Sequence, residues 1–187
     1  MALTLGRIVL APVFFGLWEA AKAGPAPWLI VIWLVFGLIE VSDLLDGYFA
    51  RLLGLESELG KVLDPFADSL ARLTYFLCFA GSGIMPLWVL LVIVYRDLAV
   101  AYIRVVAAKG RVMMGARASG KVKAWVYAVA GIAGIAVFSL RVTGWWPRSL
   151  LPVGWISFGL FALSAAVALW SLWDYGAYLM KRFQSRT

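Results

Sequence analysis

"WLIVIWLVFGLIEVSDLLDGYFARLLGLESELGKVLDPFADSLARLTYFLCF" (Trp28–Phe79) opens and closes on apolar runs and keeps its charges in the middle. A helix needs ~20 mostly apolar residues to cross the hydrocarbon of a bilayer. Trp28–Leu53 and Lys61–Phe79 each reach about that length, and the polar turn "LESELG" (Leu55–Gly60) separates them. Backbone polar groups find no partners in lipid, so each flank must pair its own as a helix. The stretch reads as a helical hairpin with its turn at one membrane face.

The rest of the chain repeats the pattern. Hydrophobic residues make up 64% of the 187, where a soluble domain holds about 45–50%. Four further apolar stretches are Leu3–Ala21, Leu87–Ala107, Lys121–Leu140 and Leu151–Leu179. Turn chemistry separates them at Ala23–Pro27, Ala80–Pro86, Lys109–Gly120 and Val142–Leu150. The expected fold is all-α, a polytopic bundle of about six transmembrane helices forming one domain over 1–187. Arg7 and Pro12 interrupt the first stretch and no small-residue cleavage site follows, so it reads as a retained helix, not a leader.

Charge gives an orientation. Arg51 and Lys61, then Lys109, Arg111, Arg117, Lys121 and Lys123, and finally Lys181, Arg182 and Arg186 fall on one side. Lys22, Arg141 and Arg148 fall on the other, beside the interfacial Trp145, Trp146 and Trp155. The positive-inside rule puts both termini in the cytoplasm. The net charge of +7 then points to anionic lipid headgroups and phosphate-bearing substrates, not nucleic acid. The one cysteine, Cys78, lies in an apolar run and reads as packing. With no histidine in the chain, proton transfer falls to carboxylates, Lys, Tyr or a bound metal.

Seven of the ten acidic residues lie between Glu40 and Asp68. Asp43, Asp46, Gly47, Ala50 and Arg51 share one helical face, and Gly60, Asp64 and Asp68 share another at i, i+4, i+8. A short turn makes the two helices antiparallel neighbours, so the rows face each other at one end. A charge at the bilayer centre costs ~2.5–3.5 kcal/mol, and two charges ~4 Å apart interact by ~4 kcal/mol at a dielectric near 20. Divalent cations relieve that repulsion. All-oxygen ligands select Mg²⁺, Mn²⁺ or Ca²⁺ over zinc, and a two-metal site suits phosphoryl chemistry. A solvated helix end would not call for small residues interleaved with acids on two faces.

Asp43-x-x-Asp46-Gly47-x-x-Ala50-Arg51, eight residues, then Gly60-x-x-x-Asp64-x-x-x-Asp68 resembles the complete signature of the CDP-alcohol phosphatidyltransferases. Leu3–Phe15, Tyr95–Gly110 and Ala116–Ala124 resemble the phosphatidylglycerophosphate synthase branch. The resemblance implies transfer of a phosphatidyl group from CDP-diacylglycerol to an alcohol, with release of CMP. It implies that Asp43, Asp46, Asp64 and Asp68 hold two divalent cations, Mg²⁺ or Mn²⁺, and that Asp68 is the general base. Asp43, Gly47, Ala50, Arg51 and Gly60 would form the CDP pocket. It also implies a multi-pass protein of the bacterial inner membrane, in a family where homodimers are common.

The acceptor is read from the basic segment. Arg96, Arg104, Arg117, Lys121 and Lys123 would suit the phosphate of glycerol 3-phosphate or inositol phosphate. Lys109, Arg111 and Lys123 fit positive-inside anchoring equally well. Ser69 follows Asp68 where the synthase branch usually has lysine, and Gly120–Tyr127 lacks its usual Thr and Gln. Inositol phosphate, serine, phosphatidylglycerol, or CDP-choline and CDP-ethanolamine with diacylglycerol therefore stay open beside glycerol 3-phosphate. A different class, a small cation transporter, would use the same carboxylates, but transporters place their sites near the bilayer midplane.

Overall fold

The computed structural model describes residues 2–53, 58–110, 117–145 and 151–184. Within these ranges it describes the side chains of all but residues 2–3, 25–26, 43–53, 58–62, 109 and 151–152. Six helices run in order: α1 Ala2–Ala23, α2 Pro25–Leu53, α3 Glu58–Gly81, α4 Leu87–Lys109, α5 Ala118–Val142 and α6 Leu151–Gln184. There is no strand among the described residues. The all-α bundle of six helices expected from the sequence is the fold observed.

Helices outrun the apolar stretches at several ends. α3 begins at Glu58 and α6 continues to Gln184, because hydrogen bonding along a helix does not stop where hydropathy falls. The last turn of α6 carries Lys181 and Arg182, cations that suit the negative end of the helix dipole. With 34 residues α6 is about 50 Å long, against ~30 Å of hydrocarbon, so part of it stands outside the lipid. α1 runs unbroken through Pro12, and only Gly24 separates it from α2, whose first residue is Pro25. Proline fits there because the first helical position has no amide partner to lose.

The core is aromatic. Trp18 on α1 stacks on Phe138 of α5 with centroids 3.7 Å apart. Phe14, Tyr75, Phe76, Phe79 and Phe161 fill the space around them, all buried. Gly131 and Gly134 make this possible, because a Cβ would lie 2.7 Å from the Phe36 ring at the first and 2.6 Å from the Phe79 ring at the second. α1 packs along both α2 and α3, and α6 packs along both α4 and α5. At the far end the chain turns through Gly83 at φ +64°, and Trp18 Nε1 donates to Ser82 Oγ at 2.9 Å.

The outside is apolar too. On α2, Ile30, Leu34, Leu38 and Val41 are exposed while Ile32, Val35, Phe36 and Ile39 are buried. An outer face of this kind is unfavourable in water and suited to lipid. Among the described residues three helices are long and apolar enough to span a membrane: Thr4–Ala23, Ala118–Val142 and Val153–Gln184. α3 and α4 carry Asp64, Asp68 and Arg72, and Arg96, Asp97 and Arg104. Arg72, Arg96 and Asp97 are buried, and Asp64, Asp68 and Arg104 half-buried.

Candidate active site

α2 and α3 each pack mainly against α1 and approach one another through a ring contact, while the facing of the two acidic rows expected from the sequence lies outside the described residues. Phe36 on α2 meets Tyr75 on α3 edge-on at 5.4 Å. Asp43 and Asp68 each lie seven residues from that contact, about 10 Å along their helices toward the turn. Positions 43 and 68 therefore fall at similar heights along the two helices. The side chains of Asp43, Asp46, Gly47, Ala50, Arg51 and Gly60 lie outside the described residues.

Asp64 and Asp68 are half-buried on successive turns of α3. Thr4 Oγ1 on α1 donates to Asp64 Oδ1 at 2.6 Å, and Arg72 Nη1 pairs with Asp68 Oδ2 at 2.5 Å. Arg7, one turn beyond Thr4, is buried. Thus α1 walls the site and orients a carboxylate of α3. Sequence reasoning missed Thr4; its signal was a lone hydroxyl three residues before an arginine in an apolar helix. No three acidic side chains converge among the described residues. Asp64 and Asp68 present carboxylate oxygens one turn apart on α3, a donor type that fits a hard divalent cation.

A second cluster begins at Lys123 of α5. Lys123 Nζ donates to Asp97 Oδ1 at 2.9 Å, and Arg96 Nη1 donates to the same oxygen at 2.8 Å. Arg96 Nη2 continues to Ser171 Oγ on α6 at 2.6 Å. All four residues are buried. Arg104 Nη2 donates to the Tyr175 hydroxyl at 3.3 Å, and the guanidinium groups of Arg96 and Arg104 lie 5.7 and 5.6 Å from the Tyr175 ring centre. Lys121 is exposed. Arg117 pairs with Asp174 through Nε and Nη2, both at 2.6 Å. That carboxylate raises the Arg117 guanidinium above its ordinary range, so it stays charged.

The structure thus places Arg96, Arg104 and Lys123 in one cluster around Asp97 and Tyr175, and Arg117 in a second against α6. Ser171, Asp174 and Tyr175 went unread in the sequence. Their i, i+3, i+4 spacing was legible, but their partners lie more than 50 residues away.

The family profile of the CDP-alcohol phosphatidyltransferases matches residues 1–173. The chain belongs to this family. It is 36% identical over 122 residues to the CDP-diacylglycerol–glycerol-3-phosphate 3-phosphatidyltransferase of Treponema pallidum, covering 65% of this chain and 54% of that protein. The Bacillus subtilis protein of the same name is 32% identical over 138 residues, covering 68% of this chain and 71% of its own. The cardiolipin synthase (CMP-forming) of Streptomyces coelicolor is 37% identical over 100 residues, covering 51% and 44%. The chain thus spans about half the length of the Treponema and Streptomyces proteins.

Proposed function

We propose that the protein transfers a phosphatidyl group from CDP-diacylglycerol to the hydroxyl of a small phosphorylated alcohol, glycerol 3-phosphate first, and releases CMP. The family and the names of its relatives support the donor and the reaction type. The observation that carries the acceptor is an excess of positive charge in a buried and half-buried cluster. Arg96, Arg104 and Lys123 surround Asp97 and Tyr175 with three positive charges and one carboxylate among the described residues. Isolated charge is unfavourable in a low-dielectric interior, and an anionic acceptor offsets it. A neutral acceptor such as serine would leave the excess standing.

In this reading the acceptor oxygen attacks the phosphorus that carries diacylglycerol, the bond to CMP breaks, and Asp68 takes the hydroxyl proton. Arg72 orients the Asp68 carboxylate, and Thr4 orients Asp64. Asp43, Asp46, Asp64 and Asp68 would hold two divalent cations, Mg²⁺ or Mn²⁺, which when bound neutralise the pyrophosphate. Gly47, Ala50, Arg51 and Gly60 would admit the cytidine diphosphate. Arg104 and Lys121 would meet the acceptor phosphate, with Arg96 and Lys123 fixed by Asp97 as its positive surroundings. The site would face the cytoplasm from the inner membrane, since Lys121, Lys181 and Arg182 lie at its end of the bundle and Lys22 and Arg141 at the other.

The test is incubation of the purified protein with CDP-diacylglycerol, Mg²⁺ or Mn²⁺, and a panel of alcohols, with the lipid product identified by mass. Phosphatidylglycerol phosphate is the expected product. Phosphatidylglycerol consumed to form cardiolipin would move the acceptor, and no CMP with any alcohol would sink the reading.

A further inference from the structure

Asp174 stands one residue beyond the stretch matched by the family profile, and it is where the start of α5 is fastened. Its carboxylate accepts Arg117 Nε and Nη2, each at 2.6 Å, and Ser119 Oγ at 2.5 Å. Next along α6, the Tyr175 hydroxyl accepts the Arg117 amide at 3.4 Å. One turn on, the Tyr178 ring lies 4.6 Å under the guanidinium. A Cβ at Gly120 would come 3.1 Å from the Tyr175 hydroxyl, so the α5 backbone lies directly on α6 here.

This end of α5 lacks a device of its own. Arg117 occupies the N-cap position and its side chain makes no cap hydrogen bond. The first amides of a helix have no partners within it, and the dipole there favours negative charge. Asp174 brings that charge from another helix. In doing so it uses the forked face of Arg117, the geometry that arginine offers a phosphate. A phosphate reaching Arg117 would have to displace the carboxylate. The Lys121 side chain, one turn further, is exposed.

We propose that Asp174 is a positioning residue for the acceptor: with Arg117 it clamps the first turn of α5 onto α6, and this clamp sets where Lys121 and Lys123 stand. Arg117 then acts through Asp174, not by touching the acceptor. The proposal rests on the phosphorylated-alcohol reading above and adds to it a part of α6. The pair is neutral as a unit, so it orders the segment without adding to the positive charge that draws the acceptor in.

Four proteins test it in detergent micelles: wild type, Asp174→Asn, Asp174→Glu and the exchange Asp174→Arg with Arg117→Asp. Asp174→Asn should raise the glycerol 3-phosphate KM by roughly tenfold, with kcat and the CDP-diacylglycerol KM within about twofold. Amide hydrogen exchange over residues 118–123 should accelerate in that variant by a similar factor. Asp174→Glu keeps the carboxylate and should stay near wild type, and the charge exchange should restore both readouts. Unchanged amide exchange in Asp174→Asn overturns the clamp. A charge exchange that restores slow amide exchange but leaves the KM raised overturns it too, because Arg117 would then be the phosphate contact. Wild-type protein that releases no CMP with glycerol 3-phosphate sinks the reaction assigned above, and the amide exchange then decides the clamp by itself.

Discussion

Lys123 on α5 and Arg96 on α4 share one oxygen of Asp97, at 2.9 and 2.8 Å, inside the helix bundle. A single carboxylate thus holds two helices together and neutralises half the charge it touches. Breaking a buried pair from one side leaves an uncompensated charge and costs about 3–5 kcal/mol. Asp97→Ala should therefore lower the melting temperature in detergent sharply or abolish recovery of folded protein. Asp97→Ala with Lys123→Met should recover much of the stability and little of the activity. Equal stability of Asp97→Ala and wild type would show that the network contributes nothing to the fold.

Asp68→Asn should keep the fold and lose CMP release by about 10²–10⁴-fold, the range of a positioned general base. The comparison is turnover with saturating metal, beside a thermal unfolding trace. Turnover near wild type would remove Asp68 from the base role.

Thr4→Val deletes the donor to Asp64 Oδ1 while keeping the shape of the side chain. Partners that orient a metal ligand are worth about 10–100-fold in metal affinity or activity. The Mn²⁺ concentration for half-maximal rate should rise on that scale, and Thr4→Ser should restore it. An unchanged metal titration in Thr4→Val would make the contact one of packing alone.

Gly134→Ala puts a Cβ 2.6 Å from the Phe79 ring, and overpacking of this kind costs about 1–3 kcal/mol. Gly37→Ala is the control, since nothing lies within 4 Å of its would-be Cβ. Thermal unfolding should separate the two, with the Gly37 variant at or above wild type. A loss equal in both would point to glycine itself, not the aromatic contact.

Arg104→Ala should raise the acceptor KM far more than that of CDP-diacylglycerol. Initial rates against each substrate measure it. Equal rises would assign Arg104 to structure through Tyr175.

The sequence by itself determined the six helices and their order, and it set out the spacing of the acidic residues on α2 and α3. Each depends on hydropathy runs or on residues three and four apart, and helical periodicity expresses such spacing wherever a helix forms. Arg72 pairing with Asp68 was legible for the same reason, being one turn away on the same helix. The basic segment was legible only as a set of charges, because Lys123, Arg104 and Arg117 have their partners on other helices. Only the tertiary structure decided that Asp97 gathers Arg96 and Lys123, that Asp174 takes the fork of Arg117, and that Thr4 reaches Asp64 from sixty residues away. Such pairings follow from which helices touch and at what height, and packing of the aromatic core against Gly131 and Gly134 sets that height.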